Sequence, residues 1–127
     1  MTQCVGIVIV SHSAEVARGA AAMVKQMVGS DVAVESCGGT VDSRLGTDVT
    51  AIRACLDLAW NPHGIAVLFD LGSARMNAEM AISMCPAEQQ EHIVVCDAPI
   101  VEGALLAASE ASLGSDLNTV RAAAEDA

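Results

Sequence analysis

Aromatic and basic side chains are scarce in this sequence, and both shortages limit the partners that it can bind. Trp60 and Phe69 are its only Trp, Tyr or Phe residues, so bases have almost no rings on which to stack. Six lysines and arginines face sixteen aspartates and glutamates, which gives a net charge of −10 at pH 7. Nucleic acids and anionic membrane surfaces both require a basic footprint. The sequence therefore argues against nucleic acid and membrane as partners.

Metal-binding, disulfide and membrane patterns are missing as well. The five cysteines form no C-x-x-C pair, and the three histidines His12, His63 and His92 lack the spacing of metal ligands. We expect no metal and no cofactor, and cysteines that are buried rather than paired. No apolar run approaches the roughly 18 residues of a membrane span, and no signal peptide is recognisable. These features predict a cytoplasmic protein.

What the sequence does contain is an alternation of strand and helix patterns. Half of the chain is apolar (53%), and its 127 residues predict a single domain, 1–127. Apolar runs predict strands at 5–10, 31–37, 65–69 and 92–96. Helical patterns cover about 13–28, 47–59, 73–84, 101–112 and 115 onwards, with an extra turn after Pro86. This order predicts an α/β three-layer sandwich, with a mainly parallel four-stranded sheet and helices on both faces.

Within the helices, spacing and capping residues predict finer details. In the first helix, Val16, Ala20, Met23 and Met27 recur at helical spacing and are expected to form the apolar stripe that faces the sheet. Ser13, Thr47 and Ser115 are each placed to cap the start of a helix.

The candidate functional residues lie where strands end. His12 follows the first strand and Asp70 follows the third. In open α/β sheets, ligands bind beyond the carboxyl ends of the strands. If these two strands are neighbours, Asp70 can accept the Nδ1–H of His12 and leave Nε2 free to attack. Gly72 and Ser73 would then offer backbone N–H groups at a helix start, which is a site for a phosphoryl group.

Each of these residues also has a purely structural interpretation. A histidine at a strand end is often only hydrogen-bonded, an aspartate before a Gly-Ser turn is often a turn residue, and Ser73 could simply cap its helix. Other chemistries fit less well, because the chain has no G-x-G-x-x-G after its first strand and no G-x-S-x-G motif. A receiver domain would need acidic metal ligands where this chain has His12. Together the residues favour a phosphoryl-accepting histidine.

Four segments resemble the mannose-type IIA domain of the sugar phosphotransferase system. They are Ile7–Ser13, Gly38–Thr47, Asp70–Ala74 and Ala98–Gly103. The Gly-Gly-Thr loop at 38–40 and the segment after Ala98 are more similar to one branch of this family, the phosphotransferase subunits of phosphoenolpyruvate-dependent dihydroxyacetone kinases. The similarity extends over essentially the whole chain.

The resemblance implies a phosphohistidine carrier. His12 would accept a phosphoryl group from phospho-HPr and pass it to ADP bound on the kinase subunit DhaL, which acts with DhaK on dihydroxyacetone. Asp70 would orient the imidazole, and the backbone N–H of Ser73 would contact the phosphoryl group. Gly72 and Thr40 are further phosphoryl-binding candidates. Family members are homodimers, so a homodimer is expected here.

Two other functions remain open at this point. One is a IIA component of mannose-type sugar transport, against which the Gly-Gly-Thr loop at 38–40 argues. The other is a regulatory module whose phosphorylation state is read by a binding partner. His12 would be phosphorylated in all three cases, while His63 and His92 are expected at the opposite edge of the sheet.

Overall fold

The structure, a computed structural model, describes residues 4–127. The strands are β1 (Gly6–Ser11), β2 (Val34–Gly38), β3 (Ile65–Phe69) and β4 (Ile93–Cys96). The helices are α1 (Ala14–Val28), α2 (Val49–Ala59), α3 (Gly72–Ser83), α4 (Ala87–Gln90), α5 (Ile100–Ser112) and α6 (Leu117–Glu125). These bounds agree with the sequence pattern to within a few residues, and the short α4 is the extra turn predicted after Pro86.

The four strands form one parallel sheet in the order β2-β1-β3-β4. In the register of the sheet, Ile9 of β1 lies between Ser36 of β2 and Leu68 of β3. From β1 the chain continues to β2 on one side of β1, and then returns to form β3 on the other side. β1 and β3 therefore flank the point where a crevice opens beyond the strand ends. The predicted three-layer α/β sandwich is confirmed.

Alternate residues of β1 contribute to two separate cores. Ile7 and Ile9 pack with buried residues of α1, α5 and α6, whereas Val8 and Val10 pack with those of α2 and α3. Because every side of β1 is covered, all six of its residues are buried. This rigid central strand fixes the position of whatever follows it.

The packing of α1 differs from the prediction. Its bulky residues Val16, Met23 and Met27 are 47%, 51% and 64% exposed. Of the predicted stripe only Ala20 is buried, and the buried side otherwise carries Ala17, Ala21 and Val24, so that most of it is alanine. The physical reason is the neighbouring helix α5, whose buried residues are also small: Gly103, Ala104, Ala107, Ala108 and Ala111. Small side chains let two helix backbones approach closely, so size decided which stripe faces inward.

Two predicted helix caps were also wrong by one residue. Asp48, not Thr47, caps α2, and Asp116, not Ser115, caps α6. Each aspartate accepts a hydrogen bond from a backbone N–H in the first turn of its helix. Aspartate, serine and threonine are comparable capping residues. When two of them are adjacent, the sequence alone does not show which one caps the helix. The third predicted cap, Ser13 of α1, is confirmed.

Candidate functional site

His12 and Asp70 meet at the carboxyl edge of the sheet. Each directly follows a central strand, and the last paired residues of those strands, Val10 and Phe69, are neighbours. The Nδ1 atom of His12 lies 2.9 Å from Oδ1 of Asp70. Both side chains are about one-fifth exposed, so the pair is partly shielded and still open to solvent on one side. The topology predicted this meeting, and the structure shows it.

Asp70 is held by hydrogen bonds on both of its carboxylate oxygens. Oδ2 accepts from the hydroxyl of Ser11 at 2.7 Å and from the backbone N–H of His12 at 3.0 Å. Oδ1 accepts from the backbone N–H of Leu71 at 2.7 Å, in addition to the imidazole. Partial burial raises the pKa of Asp70, but these hydrogen bonds outweigh it and hold the pKa below its usual range. At neutral pH Asp70 is therefore an ionised, acceptor-only group.

An ionised partner selects the tautomer of His12. A carboxylate can only accept, so the ring proton belongs on Nδ1 and the lone pair on Nε2. Nε2 lies 2.6 Å from Oγ of Ser73, whose hydroxyl donates to it. Sequence reasoning expected only the backbone N–H of Ser73 near the reaction centre, and the structure adds its side chain. The attacking atom would be Nε2.

The start of α3 lies beside Nε2. Gly72 and Ser73 are its first two residues, so their N–H groups have no acceptor within the helix. Gly72 has no left-handed backbone, and a Cβ there would meet no atom within 4 Å. A glycine here could serve an unfavourable backbone or leave room for an incoming phosphoryl group, and the structure excludes the first of these two reasons. The other reason, room for an incoming phosphoryl group, stays a prediction.

The loop after β2 contacts the backbone of His12. The backbone N–H of Gly46 donates to the carbonyl of His12 at 2.8 Å, which fastens the loop to the end of β1. The hydroxyl of Thr40 donates to Asp42 and accepts from the N–H of Arg44 at 3.1 Å. Thr40 therefore shapes the loop, and within residues 4–127 its hydroxyl makes no hydrogen bond to the imidazole of His12. Its role in phosphoryl binding stays a prediction.

The other two histidines and a further aspartate at a strand end lie away from this cluster. His63 belongs to the turn before β3, and His92 directly precedes β4, so both lie at the amino edge of the sheet. Asp97 follows β4, which is separated from β1 by β3. It is exposed, and its backbone N–H donates to Glu125.

Sequence reasoning missed Ser11. It is the last residue of β1 and completely buried, and its hydroxyl contacts a residue 59 positions away in the chain. A polar residue at the end of an otherwise apolar strand, directly before His12, is the signal that could have identified it.

The site is assembled without a recognisable metal cluster. Among residues 4–127 no three His, Cys, Asp or Glu side chains are grouped so that they could hold a metal ion. In the same part of the chain, no helix is both long and apolar enough to cross a bilayer.

Comparison with known proteins identifies the family of the chain. The family described as PTS system fructose IIA component, EIIA-man, matches residues 6–121. The chain therefore belongs to the family of IIA components of the phosphotransferase system.

Individual relatives narrow the family further. A protein of Listeria innocua named PEP-dependent dihydroxyacetone kinase 2, phosphoryl donor subunit DhaM, is 40% identical over 104 residues, which cover 82% of this chain and 83% of the relative. The DhaM subunit of Escherichia coli K12 is 31% identical over 91% of this chain, which spans only 25% of that longer protein. A crystal structure of a protein of unknown function superposes with a TM-score of 0.85 at 35% identity, covering 98% of this chain and 95% of the other. These matches place the chain in the DhaM branch of the family.

Proposed function

We propose that the protein carries a phosphoryl group on Nε2 of His12, accepts it from phospho-HPr, and passes it to ADP on the kinase subunit DhaL, which acts with DhaK on dihydroxyacetone. The observation that supports this most directly is the 2.9 Å contact between Nδ1 of His12 and the carboxylate of Asp70. In a neutral imidazole, that contact places the ring proton on Nδ1 and the lone pair on Nε2, beside the start of α3. Membership of the DhaM branch supports the choice of partners.

The chemistry consists of two displacements at phosphorus. In the first, the lone pair of Nε2 attacks the phosphorus of the donor phosphohistidine; the new N–P bond forms as the old one breaks, and the donor imidazole leaves. In the second, a terminal oxygen of ADP attacks the phosphorus on His12, giving ATP and free imidazole. The protein's own share is positioning and electrostatics. The amides of Gly72 and Ser73 and the positive end of α3 would stabilise the phosphoryl charge.

Both protein partners would have to reach the same exposed edge of the sheet. The Gly38–Gly46 loop borders His12 and presents Val41 and Leu45, which are 89% and 79% exposed. A cleft of about 420 Å³ lies between this loop and the start of α1. We assign partner contacts to this loop. The same proposal includes a reaction in the cytoplasm and the homodimer that the resemblance implies.

Phosphoryl labelling tests the site. The wild type should take up one ³²P-phosphoryl group from labelled phosphoenolpyruvate, enzyme I and HPr, and His12→Ala should take up none. His63→Ala and His92→Ala are matched controls, because they remove histidines at the opposite edge of the sheet, and both should label normally. Labelling that survives in His12→Ala would overturn the assignment.

Discharge of the labelled protein tests the acceptor. The label should be lost on mixing with ADP-loaded DhaL and kept with free ADP or dihydroxyacetone alone. Transfer to a membrane sugar-transport protein instead would establish the mannose-type function. A label that neither acceptor removes would favour the regulatory module.

A further inference from the structure

The hydroxyl of Ser11 lies between three elements of the fold. Ser11 is the only polar residue among residues 4–127 that is fully buried. A buried hydroxyl is unfavourable unless it is hydrogen-bonded, and this one has two partners. It donates to Oδ2 of Asp70 at 2.7 Å and accepts from the backbone N–H of Ser13 at 3.0 Å. The end of β1, the start of α1 and the end of β3 thus share one hydrogen-bonded group.

Ser11 differs from the other donors that hold Asp70. The N–H groups of His12 and Leu71 belong to the backbone and are fixed by the strand ends. Among the described residues, Ser11 gives Oδ2 its only hydrogen bond from a side chain, and the imidazole bonds Oδ1. With that bond in place, rotation of the carboxylate would break contacts on both of its oxygens. Without it, three of the four hydrogen bonds remain and Oδ2 keeps one amide, so the carboxylate is held less firmly against the imidazole.

We infer that Ser11 is a positioning residue for phosphoryl transfer: by fixing the carboxylate of Asp70 it keeps the proton of His12 on Nδ1 and the lone pair on Nε2. The part of this inference that concerns transfer rests on the proposed function, whereas the part that concerns the Nδ1 proton does not. Ser11 makes no hydrogen bond to the imidazole and acts through Asp70.

The test removes the hydroxyl and follows the Nδ1 proton of unphosphorylated His12 by ¹⁵N-resolved NMR. In Ser11→Ala we expect that proton to exchange with water about ten times faster, and phosphoryl transfer to slow by about 10–100-fold, the range of a hydrogen bond to a charged group. Ser11→Thr keeps a hydroxyl and should restore both if its methyl group is accommodated. Ser109→Ala is a matched control, because it removes a half-buried hydroxyl that bonds only to a carbonyl of α5, and it should change neither.

The outcomes separate the two claims. Unchanged proton exchange in a folded Ser11→Ala protein would overturn the inference, even if transfer is slower. If exchange is faster in Ser11→Ala but His12 is not labelled even in the wild type, the positioning role is supported and the proposed function is refuted. If Ser11→Ala does not fold, Ser11→Cys keeps the volume with a weaker donor; exchange faster than in the wild type supports the inference, and wild-type exchange overturns it.

Discussion

Replacing Asp70 by Asn keeps the size of the side chain and removes its charge. Each carboxylate oxygen of Asp70 accepts two hydrogen bonds. An amide has a single accepting oxygen, and its NH2 group must face the donors that this oxygen does not meet. In either orientation one backbone N–H, that of His12 or that of Leu71, loses its acceptor. An unpaired buried N–H costs roughly 1–3 kcal/mol. The N–H of Leu71 is exposed and that of His12 is only partly buried, so we expect the free energy of unfolding to fall by about 1 kcal/mol, the lower end of that range.

The larger effect of Asp70→Asn is on the tautomer of His12. An asparagine amide can donate to Nδ1, which places the ring proton on Nε2. Ser73 does not oppose this change, because its hydroxyl accepts from an Nε2–H as readily as it donates to a bare Nε2. In the changed tautomer Nε2 has no lone pair with which to attack phosphorus. Loss of an orienting partner of this kind slows catalysis by about 10²–10⁴-fold, or about 2.7–5.5 kcal/mol of barrier.

The assay compares rate and stability in the same variants. Rapid-quench transfer from labelled HPr gives the rate, and urea unfolding gives the free energy. Asp97→Asn is the matched control: Asp97 also follows a strand, is exposed, and should lose neither rate nor stability. A folded Asp70→Asn protein that transfers at the wild-type rate would refute the reasoning from the tautomer.

Three further predictions concern the fold around the site. Val24→Ala, on the buried side of α1, should lower the free energy of unfolding by about 2 kcal/mol, and Met23→Ala, on the exposed side, by less than about 0.5 kcal/mol; equal losses in urea would contradict the packing of α1. Gly38→Val should lower the melting temperature and the transfer rate together, because a Cβ there would lie 2.6 Å from a backbone oxygen of β1. Wild-type values of both would contradict this close contact between β1 and β2. Asp116→Ala should lower the melting temperature at pH 7. Hydrogen bonds from Thr119 lower the pKa of Asp116, so its contribution is present above the unfolded pKa of about 3.9 and disappears as the pH falls through the lower folded value; a difference in melting temperature that persists below both values would contradict this.

The meeting of His12 and Asp70 was predictable because it follows from topology alone. Parallel strands place their carboxyl ends at one edge, and the two side chains directly follow neighbouring strands. The hydrogen bond of Ser11 was not predictable in this way, because topology brings strand ends together but does not show which way the hydroxyl of Ser11 turns. The same holds for three of the four hydrogen bonds to Asp70, since the sequence does not show which backbone N–H groups and hydroxyls its carboxylate meets.

The inner face of α1 was missed for a different physical reason. Hydrophobicity ranks Val16, Met23 and Met27 above the alanines, and both stripes have helical spacing. What decides between them is the distance to α5, a tertiary quantity that the sequence of α1 does not contain. Small residues on both helices permit close contact, and the bulky residues then remain on the outside. Periodicity identifies a helix more reliably than it identifies the side that faces the core.

On the proposed function, the carboxylate of Asp70 has two opposing effects on a phosphoryl group at Nε2. It prepares the nitrogen for attack, but it also repels the group once bound, because both carry negative charge. The positive end of α3 counteracts this repulsion by roughly 0.3–2 kcal/mol. The two effects oppose each other, so the phosphoryl group is held less tightly than the helix end alone would hold it. A carrier must both accept the group and release it, and this balance achieves that without a lysine or arginine hydrogen-bonded to the imidazole.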